Sequence, residues 1–194
     1  MSDAWGEGRH VLVGIEWPLV VEGSAPGDLL RFRLDAAARI WPEGDGARFV
    51  TEVGIPYSGG LFRILEELAE RDPASPATAF AKDLDALPVD TPVGRLQPLG
   101  FLFQAVVYVH LGDGTIWAAD PDAEIEYELV HGDVSSLGYL VYKFRVERPG
   151  PDERPNPHDW AAVEEIVREG MERWDPLPFR SGFWTLFLDS YPML

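Results

Sequence analysis

The sequence has no cysteine. Disulfides, thiolate nucleophiles and thiolate metal ligands are excluded, and with them a small secreted fold held by cross-links. No Gly-Lys-Ser/Thr triplet occurs, so a Walker-type phosphate loop is absent, and no Gly-x-Ser-x-Gly stretch supplies a nucleophile elbow. The glycines of "GEGRH" (6–10) come before an apolar run rather than after one, which is the wrong context for a dinucleotide site. No apolar run approaches the roughly 18 residues that suggest a membrane-spanning helix. The opening "MSDAWGEGRHVLVGIEW" lacks a basic segment followed by an apolar one, so no secretory signal is read there and the cytoplasm is the expected location.

Positive charge is also scarce. Lys and Arg number 16 against 33 Asp and Glu, a formal net charge of −17. Such a surface repels phosphate backbones and anionic lipid, so neither nucleic acid nor a membrane is an expected partner. It draws in basic proteins and speeds their encounter. The same charge also serves solubility, so alone it names no partner.

What is present is a sizeable stock of core material: 46% apolar residues and 12% aromatics in 194 residues. That length suits one domain, residues 1–194. Seventeen prolines and nineteen glycines break the chain too often for long helices. "HVLVGIEWPLVVEG" reads as one strand, or two short ones interrupted at Pro18. In "GDLLRFRLDA" the alternation of Leu30, Phe32 and Leu34 with Arg31 and Arg33 suggests a half-buried strand. Asp45 is placed to cap a short helix carrying Phe49, Val50 and Val53, with Gly54 and Pro56 as its stop. "GGLFRILEELAERDP" spaces Leu61, Ile64, Leu65 and Leu68 as a helix, although a strand opening at "LFRI" also fits. Residues 73–92 read as a surface connection with room for one short helix.

From Leu96 to His131 the chain turns β-rich. Gly-Asp-Gly and Asp-Pro-Asp turns separate three strands of an antiparallel meander. In the last of them Ile125, Tyr127 and Leu129 alternate with Glu124, Glu126 and Glu128, which suggests one buried face and one acidic, wet face. Leu137, Leu140, Val141 and Phe144 then fall at helical spacing, with Asp133 or Ser135 as the cap. After a proline-rich linker (148–157) the helical period returns through Trp160, Val163, Val167, Met171 and Trp174, and "SGFWTLFLDSYPML" ends the chain as a short apolar helix. Strands first and helices late indicate an α+β fold, a mostly antiparallel sheet flanked by helices.

The search for chemistry finds little. The histidines, His10, His110, His131 and His158, share no metal-ligand spacing. His110 and His131 would form a site only if folding brought their rings together. Ser135 and Ser136 are better explained as cap residues than as nucleophiles. Asp113 with Gly114, and Asp120 with Pro121 and Asp122, carry turn chemistry and lack the ligand spacing of a calcium loop. Glu124, Glu126 and Glu128 share similar surroundings, so nothing pushes their pKa values apart for acid–base work. No catalytic, metal or cofactor residue is assigned. Asp120, Asp122, Glu124, Glu126 and Glu128 are the candidate partner-binding residues. Among the seven tryptophans, Trp17, Trp41, Trp117, Trp160 and Trp184 adjoin apolar runs and are expected in the core.

The order of segments resembles a known family. "ARFVTEVGIP", "LGDGTIWAADPDAEIEYELVHGDVSSLGYLVYKF" and "SGFWTLFLDSYPML" are similar to successive pieces of the SUKH superfamily (Smi/Knr-like proteins), in particular its fourth type of bacterial immunity protein. The likeness runs from about Trp41 to the C-terminus; the first forty residues match loosely as N-terminal strands, and 150–194 as C-terminal helices. His131, Gly132 and Asp133 depart from the family's asparagine before the paired serines. The resemblance implies an α+β fold and a non-enzymatic protein that neutralises a cognate toxin, often a nuclease or deaminase of a polymorphic toxin system. It carries no catalytic or binding residue over. Two other readings stand beside it: a regulatory or scaffolding module of the same superfamily, and an enzyme built around His110 and His131.

Overall fold

The computed structural model describes residues 17–42, 44–120, 125–147, 157–172 and 174–190. The chain starts its described part with a helix, α1 (Trp17–Glu22), where the sequence suggests a strand; residues 10–16 of that stretch lie outside the described residues. Pro18 sits in the first helical turn, where its missing N–H costs nothing, and Trp17 and Val20, three apart, both face the core. The next expected strand shrinks to β1 (Leu29–Leu30). Leu30 and Phe32 are buried, but Leu34 is 77% exposed and opens helix α2 (Leu34–Ile40). Helix wins because Ala36, Ala37 and Ile40 bury one helical stripe and alanine is the best helix former.

Helix α3 (Asp45–Arg48) runs straight into a π-helical turn, Phe49–Val53. Asp45 lies in its first turn, whereas Gly44 takes the cap position and no side chain caps the helix. Gly54 ends the turn at φ +92°, and a Cβ there would lie 2.7 Å from the Leu30 carbonyl oxygen, so only glycine fits. β2 (Ile55–Pro56) then pairs with β1. The helix read from Leu61 to Leu68 is replaced by the alternative strand, β3 (Phe62–Leu65). Its buried Phe62, Ile64 and Leu65 pair it against two neighbours at once, and that long-range pairing overrides the helical spacing. Residues 73–92 do more than connect. They hold a 3₁₀ turn (Ala77–Ala79), β4 (Phe80–Ala81) parallel to β3, and β5 (Val89–Thr91).

The meander has four strands rather than three: β6 (Gly94–Leu102), β7 (Ala105–His110), β8 (Ile116–Asp120) and β9 (Ile125–His131). A tight turn at Phe103 and Gln104, with Phe103 at φ +57°, splits the run from Leu99 to Leu111 that reads as one apolar stretch. The sheet order is β4-β3-β6-β7-β8-β9, with β5 on β6; β3–β4 is parallel and the other pairs antiparallel. The fold is α+β with a mostly antiparallel, mixed sheet.

The helices α4 (Val134–Glu147), α5 (Pro157–Glu172) and α6 (Gly182–Ser190) appear where their periodicity places them, except that Trp174, expected in the period of α5, lies past its end and is 37% exposed. Leu137, Leu140, Val141 and Phe144 of α4, Val163, Val167 and Met171 of α5, and Phe183, Trp184 and Phe187 of α6 enter one core with Val107, Val109, Ile116 and Ala118 of the sheet. Gly138 lets α4 approach Phe49; a Cβ there would lie 2.8 Å from the ring. Trp17, Trp41 and Trp184 are buried as expected and Trp117 is half-buried, while the side chain of Trp160 lies outside the described residues. Val106, Tyr108, Trp117 and Ala119 point to the opposite face of the sheet and belong to a separate small cluster.

Candidate functional site

Strand β9 carries the acids singled out in the sequence, and it forms one edge of the sheet. Asp122 and Glu124 lie outside the described residues. Asp120 ends β8, half-buried, opposite Ile125; Glu126 is exposed. Glu128 behaves differently. The register shifts between Ala118 and Asp120, so strict alternation is lost, and Glu128 pairs with buried Ala118 on the helical side of the sheet. Its carboxylate accepts the Gly182 N–H at 2.5 Å and the Phe183 N–H at 2.9 Å. Ser181 Oγ accepts the Trp184 N–H, so three of the free amides that open α6 are satisfied. A negative charge at a helix N-terminus also meets the positive end of its dipole. The three glutamates therefore do not form a uniform wet stripe: Glu128 anchors a helix while Glu126 faces water.

Where β9 ends, a buried polar chain crosses the core. Trp184 Nε1–H points to His131 Nε2 at 3.2 Å, which leaves the proton of a neutral His131 on Nδ1, 2.9 Å from Ser136 Oγ. Ser136 Oγ–H donates to Asp175 Oδ2 at 2.5 Å. Asp175 also accepts the Gly132 and Leu177 N–H groups. Every donor in this chain runs toward one carboxylate. It ties together β9, the start of α4, the 174–177 turn and α6. His131 is fully buried, and burial pushes its pKa down to about 4 even though Asp175 pulls the other way. Serine stands between the aspartate and the histidine, the reverse of a nucleophilic triad, in which histidine lies between the other two.

The other polar groups also support turns and caps. Asp133 Oδ1 accepts the N–H groups of Ser135 and Ser136, which makes Asp133 the cap of α4. Asp113 holds its hairpin by accepting the Thr115 N–H and hydroxyl, beside His110 Nδ1 at 2.8 Å, and Gly114 sits at φ +76°. Burial raises the Asp113 pKa, but the Thr115 and His110 hydrogen bonds outweigh it and the net shift is downward. His110 and His131 thus belong to two separate networks, so the site in which their rings meet is not formed. A recess lined by Trp41, Phe49, Asp133 and Ser135 encloses about 10 Å³, the space of one water molecule. Among the described residues, no three histidine or carboxylate side chains are grouped to hold a metal ion, and no helix is long and apolar enough to cross a membrane.

Among the described residues, His131, Ser136, Asp175, Asp113, Asp133 and Glu128 serve the protein's own architecture, while Glu126 is exposed. The sequence model of one family, the SUKH-4 immunity proteins, matches residues 1–190. The chain belongs to the SUKH-4 immunity protein family. Membership assigns it an immunity role, in which a cognate toxin is the partner, and it explains the order of segments from "ARFVTEVGIP" to the terminal helix. No curated protein and no solved structure is significantly similar to it. Within this SUKH-4 chain, Asp175 is the residue that sequence reasoning misses. Its signal is the Asp-Pro pair at 175–176, an aspartate turn whose side chain accepts the Leu177 N–H.

Proposed function

We propose that this chain binds a basic toxin of a polymorphic toxin system, a nuclease or deaminase, and neutralises it by covering its active surface without covalent chemistry. The family membership carries the reading. Two observations support it. The charge of −17 suits capture of a protein that itself must bind nucleic acid, and the buried histidine, serine and aspartate are consumed in a structural network. Asp120, Asp122, Glu124 and Glu126 are the acids proposed to face the toxin; Glu128 adds its charge to the local field while its carboxylate holds α6. The whole chain acts as one unit in the cytoplasm, before the toxin reaches its substrate.

The test is reconstitution. The toxin domain encoded beside this chain is assayed on its nucleic-acid substrate with rising amounts of the purified chain. Inhibition that saturates at a fixed stoichiometry is expected. Undiminished toxin activity at a large excess of the chain refutes the proposal, as does a small-molecule turnover by the chain alone.

A further inference from the structure

The seven-stranded sheet has a helical layer on one face only, among the described residues. The helices α4, α5 and α6 send their buried side chains into the main core, and none joins the cluster on the other face. That other face is nevertheless apolar. Leu96, Tyr108 and Ala119 are buried in it, and Val93, Val106, Trp117 and Tyr127 pack around them half-buried. Register extends the patch in both directions. Val89 lies opposite Leu96 and is 39% exposed; Leu129 lies opposite Trp117. An antiparallel sheet with a merely wet face shows polar residues there. Tyr108, Trp117 and Tyr127 instead supply the large, stiff aromatic area that protein interfaces favour at their centres.

The surroundings are mostly acidic. Residues 89–131 hold seven Asp and Glu, Glu128 among them on the helical side, against Arg95. The one cation that register places on this face from β3, Arg63, lies over the Phe101 ring at its far margin. The pairing of Leu96 with His110 places the β5–β6 and β7–β8 turns, with Asp90 and Asp113, at one end of the strands. Asp120 and the β8–β9 connection lie at the other end, and exposed Glu126 lies along the β9 edge. Asp90, 93% exposed, lies 3.9 Å from Arg95, and both alternate to the face opposite Val89 and Leu96. A second copy of this chain brings its own net charge of −17 against this one, which opposes self-association. A cationic surface meets no such penalty.

We propose that this face, where half-buried Trp117 and Tyr127 flank the buried Tyr108, is the surface on which a cationic toxin domain docks. The inference rests on the immunity reading above and adds to it the place of contact. The acidic rim guides the encounter, and an apolar or aromatic side chain of the toxin seated over the aromatic centre sets the dissociation rate.

The experiment uses the full chain and the toxin domain encoded beside it. Val89→Lys and Tyr127→Lys each place a cation within the patch; Leu34→Lys, on exposed α2, is the control. Thermal melts establish that each variant folds, and amide exchange of the wild-type complex maps protection independently of any variant. The expected result is a dissociation constant raised at least about 30-fold by each patch variant and unchanged by the control, with protection in β6, β7 and β8. Wild-type affinity in folded patch variants, or protection confined to α5 and α6, overturns the docking face and leaves the immunity reading intact. Failure of the wild-type chain to bind the toxin domain at all overturns both. A wild-type dimer that Val89→Lys splits in sedimentation also overturns the proposal, since the occupant is then a second copy.

Discussion

His131 offers a sharp test of the buried network, because its titration must appear in the stability of the whole protein. The imidazole is neutral and fully buried, with its pKa down at about 4 against an ordinary value of 6.5. Between those two values the unfolded chain binds a proton that the folded chain refuses. The stability due to this residue is thus complete above about pH 6.5 and falls as the pH drops through the window toward 4, where it levels off. The full difference corresponds to about 3 kcal/mol, and about 2 kcal/mol of it is gone by pH 5. Protonation places a hydrogen on Nε2, where Trp184 Nε1–H already points, so the indole loses its acceptor inside the core. Urea unfolding followed by circular dichroism at pH 7.5, 6.5, 5.5 and 5.0 measures the effect. The comparison is His131→Asn, which keeps a donor toward Ser136 and cannot titrate. That variant starts about 1–3 kcal/mol less stable, because Trp184 is left unpaired, yet its curve is flatter by about 2 kcal/mol between pH 7.5 and 5. Parallel curves for the two proteins would show that the histidine is not held neutral and would refute the argument.

Other outcomes follow from single contacts. Glu128→Gln removes the charge that accepts two amides at the start of α6 and costs about 1–2 kcal/mol in urea unfolding, with the loss concentrated in faster amide exchange over residues 182–187. Asp133→Ala strips the cap of α4 and costs about 1–2 kcal/mol, whereas Asp133→Asn retains most of the stability. Gly138→Ala drives a methyl into the Phe49 ring and costs about 1–3 kcal/mol despite alanine's better helix propensity. Stopped-flow mixing with the toxin shows an association rate that falls at least about tenfold between 50 and 500 mM salt, while the dissociation rate changes little; a flat association rate refutes electrostatic steering.

The second half of the fold is legible in the sequence because its patterns are long. Val163, Val167 and Met171 repeat over about two turns of a 16-residue helix, and the stretch from Leu137 to Phe144 also over about two, enough for periodicity to decide. The first half misleads for a physical reason. Leu30 and Phe32 are buried two apart, but through a two-residue strand and an isolated bridge to Ala69, neither of which continues the alternation to Leu34. Leu61 to Leu68 has helical spacing and still forms a strand, because two partners far along the chain claim it. At the candidate site the turn roles of Asp113 and Asp133 are readable from their neighbours. The union of His131, Ser136, Asp175 and Trp184 is not, since it joins positions up to 53 residues apart that only the docking of α6 brings together.

The two glutamates of β9 place unequal limits on how this surface can change. At Glu126 a lineage meeting a new adversary can try almost any side chain, because the residue is exposed and, among the described residues, holds no backbone group. At Glu128 the same trial loosens the terminal helix, and any lysine of the adversary that lured this carboxylate away would work against the fold that offers it. Diversification along the edge is therefore expected to run through the outward-facing position and to leave the helix anchor in place.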